Sequence, residues 1–126
     1  MNIPDDVRYS KDHEWIRVEG AQVRIGITDY AQDALGDVVF VDLPEVGASV
    51  EAAASISEVE STKSVSDIYA PLAGVVVEVN TELGDAPQRL NEDPYGEGWI
   101  CVIQTTDTGA YDQLMDASAY RDLIST

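Results

Sequence analysis

Apolar and polar positions alternate with period two over most of the chain, in short runs rich in Val and Ile and broken by Gly, Pro and Asn. The runs are "EWIRVEG", "QVRIGIT", "VVFVDL", "SVEAAASISEVES", "SVSDIYAPLAGVVVEVN" and "WICVIQTT". Period-two alternation between turn residues is the mark of strands, and strands of this length in this number predict a mostly β protein, a flattened sandwich or barrel. In "EWIRVEGAQVRIGIT" the pattern is clearest. Trp15, Arg17 and Glu19 face one way and Ile16 and Val18 the other, then Val23, Ile25 and Ile27 resume after Gly20-Ala21. This predicts a hairpin with one buried face.

Helical signals are few. "TDYAQDALG" offers Thr28 as N-cap, Asp29 at the positive end of the dipole, an apolar side of Tyr30, Ala31, Ala34 and Leu35, and Gly36 as a stop, which predicts about two turns of helix. The tail carries Tyr111, Leu114 and Met115, then Tyr120, Leu123 and Ile124, at helical spacing. Ser118 is placed to cap its second half, predicting one or two short helices against the sheet. "PEVGASVEAAASISEVES" and "TELGDAPQRLNEDPYGEGWICVIQT" each lead from a Gly-centred turn into a strand, a faint internal echo of two similar halves. With no linker or low-complexity tract, residues 1–126 are expected to form one domain.

Charge narrows the partners. The formal net charge is −17, from 24 acidic residues against seven Lys and Arg, which cannot assemble a basic face for nucleic acid or an anionic membrane. Such an excess repels itself in dilute buffer and is screened at molar salt, the pattern of adaptation to high salt. No apolar run approaches the roughly 18 residues that cross a bilayer, and "MNIPDDVRYSKDHEW" has neither an apolar leader core nor the Arg-rich look of a transit peptide. Cys101 is alone, inside "WICVIQ", where it suits a core strand and excludes a disulfide framework. A soluble cytoplasmic protein is expected.

Candidate chemistry is scarce. His13 and Cys101 suggest no nucleophilic pair with a third orienting residue, and His13 reads as a surface or edge-strand residue. "GEGW" lacks the third glycine, the Lys-Ser/Thr and the following helix of a phosphate loop. Clustered metal ligands and calcium-loop spacing are absent. What stands out is Lys63, one of only two lysines, in "STKS" between "ISEVES" and "SVSDIYAP". A lysine on a polar turn is ordinary. Its rarity here and its small neighbours Ser61, Thr62 and Ser64 favour a handle for covalent modification.

"VESTKSVSDIYAPLAGVVVEVN", then "LNEDPYGEGWI", with "HEWIRV" and "GITDYAQDALGDVVFVDLPEVG" before them, resembles the H-protein family of the glycine cleavage system from about Tyr9 to Leu123. The resemblance implies a lipoyl/biotinyl carrier (hammerhead) fold with short flanking helices, and lipoic acid amide-linked to Lys63. It further implies a non-catalytic carrier that takes an aminomethyl group from glycine at the pyridoxal-phosphate-dependent P protein. The T protein moves the one-carbon unit to a folate-type acceptor, and the flavin-dependent L protein reoxidises the dithiol. By the same resemblance Glu14 and Asp67 hold the cationic end of the loaded arm in a cleft. Asp12, where the family usually has a small hydroxyl residue, adds a carboxylate there. Glu60 and Gly74, three before and eleven after the lysine, are what the lipoyl-attaching enzyme reads. A glycine turning "PLAGVVV" and a solvated strand glutamate explain those two equally well.

Rival classes fare worse. A biotin carrier would set its lysine between methionines. A lipoyl domain of a 2-oxoacid dehydrogenase would be shorter, with Asp-Lys-Ala and a linker, and a small enzyme would need a nucleophile, base and orienter. An H-like protein that stores lipoyl groups for other enzymes remains open, and an assay with P protein separates it.

Overall fold

The computed structural model describes residues 1–105 and 108–125, in two open antiparallel sheets with a few short helices. The larger sheet contains β1 (Arg8–Tyr9), β2 (Glu14–Glu19), β3 (Gln22–Ile27), β5 (Ser49–Val50), β8 (Gly74–Val79) and β9 (Cys101–Gln104), in the order β1-β2-β3-β9-β8-β5. The smaller runs β4 (Val38–Asp42), β6 (Ser55–Ser61), β7 (Val65–Tyr69). The sandwich alternative holds: neither sheet closes on itself. The apolar core includes Ile16, Ile25 and Ile27 of β2 and β3, Val41 and Val59 of β4 and β6, and Ile103 of β9.

The β2–β3 hairpin has the expected turn, with Glu19 opposite Gln22 across Gly20-Ala21. Its expected single buried face is only half right. Trp15 and Ile16 are both 0% exposed, whereas Val18 is 46% exposed. A second cluster of Ile3, Val7, Tyr9, Trp15, Tyr95, Ala117 and Tyr120 covers the other face near the start of β2. That cover stops short of the hairpin tip, so Val18 is left out.

Three strands depart from period two because each contains a bulge, one of them β6, where the register shifts between Ser55 and Ser57 and both Ile56 and Ser57 are buried. In β4 the register shifts between Val38 and Phe40, which turns Val38 and Val41 inward and leaves Val39 and Phe40 exposed. In β8 it shifts between Val76 and Glu78. The run "SVEAAASISEVES" divides into β5 and β6 around a turn at Ala52-Ala53, and Ala53 takes a positive φ of 71°.

Helix α1 (Asp29–Leu35) begins and ends where expected. Thr28 Oγ1 accepts from the Ala31 N–H at 3.1 Å, and Gly36 closes the helix at φ 83°. The tail differs. A 3-10 turn spans Thr108–Gln113, Met115 exchanges backbone hydrogen bonds with Tyr9, and helix α4 (Ala117–Ile124) is capped by Asp116, which accepts from the Ala119 N–H. Ser118 lies inside that helix, so it is not the cap. The loop before β9 hides two single turns, α2 (Glu82–Asp85) and α3 (Arg89–Glu92), that the pattern did not announce. Each buries one leucine completely, Leu83 and Leu90.

Candidate functional site

Lys63 is exposed at the tip of the β6–β7 hairpin, where Glu60 faces Val65. The tip has neither Gly nor Pro, and Ser61 does their work. Its Oγ accepts from the Lys63 and Ser64 N–H groups, each at 3.1 Å, while its own N–H donates to the Ser64 carbonyl at 2.8 Å. The Thr62 N–H donates to the Asp37 carbonyl at 3.0 Å, tying the tip to the segment between α1 and β4. The lysine therefore stands on a fixed backbone. Among the described residues its amine joins no ion pair.

Beside that hairpin a cavity of about 290 Å³ lies between α1 and β7. Ala31, Ala34 and Leu35 form one wall, Ser64 to Ile68 the other, and Asp12, His13, Ile27 and Tyr30 complete the lining. The α1 wall is apolar, whereas the β7 wall is mixed, with Ser64, Ser66 and the Asp67 carboxylate, and Asp12 adds a second carboxylate. Asp67, on β7, is exposed and accepts from the Ser55 hydroxyl at 3.2 Å.

Asp12 also borders a second cavity, of about 380 Å³, lined by Tyr9, Ser10, Lys11, Glu14, Ala53, Pro71 and Met115 among others. Glu14 opens onto this second cavity. It is 1% exposed; Ser10 Oγ lies 2.6 Å from its Oε1, and the Tyr69 N–H donates to its Oε2 at 3.1 Å. Burial pushes its carboxyl up to about 7 against those two hydrogen bonds. Glu14 and Asp67 thus line different cavities, with Asp12 common to both.

His13 is not a strand residue, and it is only partly at the surface. It sits half-buried in the turn before β2, at φ 69°, with Nδ1 2.8 Å from the Tyr120 hydroxyl and its ring against Tyr30. Burial lowers its pKa and Asp12 opposes that. Cys101 is the core residue expected, fully buried in β9, its thiol pushed up to about 12 by burial.

Glu60 is half-buried in β6 between Phe40 and Val65. Gly74 does not turn the chain with a positive φ; it opens β8, where a Cβ would strike the Gln104 carbonyl oxygen and lie 2.6 Å from Ile103 Cγ2. Packing alone requires a glycine there. Two contributors went unnoticed in the sequence. Asn91 of α3 donates through Nδ2 to the Gly36 carbonyl at 2.8 Å and accepts from the Val38 N–H at 2.9 Å, bracing the link from α1 to β4. Gly36 itself was visible only as a helix stop.

Residues 7–126 match the family model described as Glycine cleavage H-protein. A Glycine cleavage system H protein of Thermus thermophilus is 54% identical over 126 residues, covering 100% of this chain and 98% of its own. One from Halalkalibacterium halodurans is 52% identical over 124 residues, covering 98% of this chain and 97% of its own. A crystal structure of a glycine cleavage system H protein from Mycobacterium marinum superposes with a TM-score of 0.89 at 48% identity, over 98% of this chain and all of that one.

Proposed function

Because the chain belongs to the glycine cleavage H-protein family, we propose that Lys63 is the lipoyl attachment point and that the cleft between α1 and β7 receives the arm. The family is the lipoyl-carrying component of a multienzyme system. The observation that carries the assignment to this residue is the hairpin tip. Its amine is exposed, its neighbours are small, and Ser61 holds the backbone still, so an attaching enzyme can grip the turn and acylate the lysine without unfolding it. Glu60, immediately before Ser61 in β6, is available for that grip. Gly74 has a structural reason of its own, and any reading by the enzyme comes on top of it.

When bound, the lipoyl group supplies the disulfide and dithiol chemistry that carries the one-carbon unit of glycine. This chain's residues supply the rest. Ala31, Ala34 and Leu35 offer an apolar wall, and Asp67 and Asp12 offer charge to a cationic end. Glu14 backs that region from the neighbouring cavity. With Cys101 buried and its thiol raised to about 12, the protein brings no competing thiol. The chain then acts as a single, non-catalytic domain in the cytoplasm, passed between the P, T and L proteins; among the described residues no helix is long and apolar enough to cross a membrane.

The test is the mass of the lysine-bearing peptide from protein purified from its own source, paired with Lys63→Arg. Arginine keeps the charge on the turn but offers no acylatable amine. The expected result is a lipoyl adduct on Lys63, lost in the variant with the thermal midpoint unchanged. An adduct on Lys11 would overturn the assignment.

A further inference from the structure

The Lys63 side chain does not stand free above its turn. It lies across Gly36: a Cβ built on that glycine would sit 2.9 Å from Lys63 Cε and 3.6 Å from both Cδ and Nζ. The first distance is too short for two carbons in contact, so any side chain at 36 would displace the lysine stem. Gly36 follows Leu35, a wall residue of the cleft, and Ser64 on the opposite wall follows Lys63. Neither Gly36 nor Lys63 lines the cleft itself, but each adjoins a residue that does, so a stem lying over Gly36 starts beside the cleft. Two further contacts fix this seat. Asn91 holds the Gly36 carbonyl at 2.8 Å, and the Asp37 carbonyl holds Thr62, the residue before the lysine, at 3.0 Å.

We propose that Gly36 is a positioning residue: its missing side chain is a notch that turns the root of the lysine arm into the α1–β7 cleft, and Asn91 keeps the notch in register with the hairpin. Helix ending explains a glycine with positive φ but not the close passage of the lysine over it. Gly20 and Gly47 also take positive φ, 68° and 93°, yet a Cβ on either would meet nothing within 4 Å. They are controls that add a methyl group and backbone strain without touching the arm.

This inference rests on Lys63 being the attachment point, so each preparation is first checked by intact mass for the lipoyl adduct. In wild-type holoprotein, nuclear Overhauser contacts between the Lys63 Cε protons and the Gly36 Cα protons are expected. They should vanish in Gly36→Ala, while Gly20→Ala and Gly47→Ala keep them. In aminomethyl-loaded protein without T protein, ammonia release should rise on the order of tenfold in Gly36→Ala, one step of about 1.4 kcal/mol in arm docking, and stay at the wild-type rate in both controls. The Gly36 backbone, at φ 83° and ψ −160°, suits only glycine. Should Gly36→Ala not fold, Asn91→Ala, which keeps the glycine and removes the brace, decides with the same two readouts.

Lipoylated wild type without the Lys63–Gly36 contacts, or a Gly36→Ala whose release matches Gly47→Ala, overturns the proposal. A missing adduct on Lys63 in the wild type overturns the attachment assignment instead.

Discussion

Glu14 is the residue whose chemistry depends most on where the fold puts it. Nothing local to "HEW" makes a glutamate unusual, yet enclosure leaves it 1% exposed with a carboxyl raised from 4.5 to about 7. Below the ordinary carboxylate range it is neutral both folded and unfolded, and its full contribution to stability is present. As pH rises the unfolded chain ionises first, and beyond about 7 the fold must hold a buried carboxylate, so stability is lost through that window. The loss should be on the order of 3 kcal/mol. Glutamine is neutral at every pH in this range, and its carbonyl can still accept from the Tyr69 N–H as Glu14 Oε2 does. Glu14→Gln should therefore lose less stability than wild type in urea titrations between about pH 5 and about pH 8. Parallel curves would show that the carboxyl is already ionised at the lower pH.

At the scale of elements, α1 matters most, because it is one wall of the cleft and its end is the lysine's seat. Seven residues make a weak helix on their own, so its ends must be held. Thr28 holds the first. Its Oγ1 accepts from Ala31 and lies 2.7 Å from the Tyr120 hydroxyl, which ties α1 to α4. Thr28→Ala should lower stability by about 1–2 kcal/mol in denaturant titration. Thr28→Ser, which keeps the oxygen, should recover most of it. The single turns α2 and α3 are the opposite kind of element. They have no side-chain cap, and burial of Leu83 and Leu90 is what keeps them in place. Periodicity cannot announce a helix of four residues, which is why "TELGDAPQRLNEDPYGEG" reads as loop and why Asn91 escapes notice.

For the whole molecule the dominant fact is charge. Against a formal net charge of −17, the ion pairs among the described residues engage only Asp5, Glu19, Glu82 and Glu97, all on exposed or half-exposed surface. Pairs of that kind add little, and the remaining carboxylates repel one another. Raising chloride salt from about 10 mM to about 1 M shortens the Debye length from about 30 to about 3 Å. The thermal midpoint should climb steadily over that range. A flat profile would mean that the carboxylates are too far apart to matter and that the composition is no adaptation to salt. Sulfate is unsuitable for the titration because it strengthens apolar burial whatever the charge.

Features governed by near neighbours could be read from the chain. The β2–β3 turn, the Thr28 cap and Gly36 stop, the core setting of Cys101 and the polar hairpin tip under Lys63 each follow from a few adjacent residues, whose sterics and hydrogen bonds act locally. The motifs from "HEWIRV" to "LNEDPYGEGWI" likewise sufficed to point to the family. Tertiary structure alone decided the rest. It covered the second face of β2 and buried Trp15, placed the bulges that expose Val39 and Phe40, and sent Glu14 and Asp67 to different cavities. The Tyr69 N–H on Glu14 and the Asn91 amide on Gly36 each come from 55 residues away. Burial, a raised carboxyl and a notch beneath a lysine are made by such distant partners, and no window of neighbouring residues contains them.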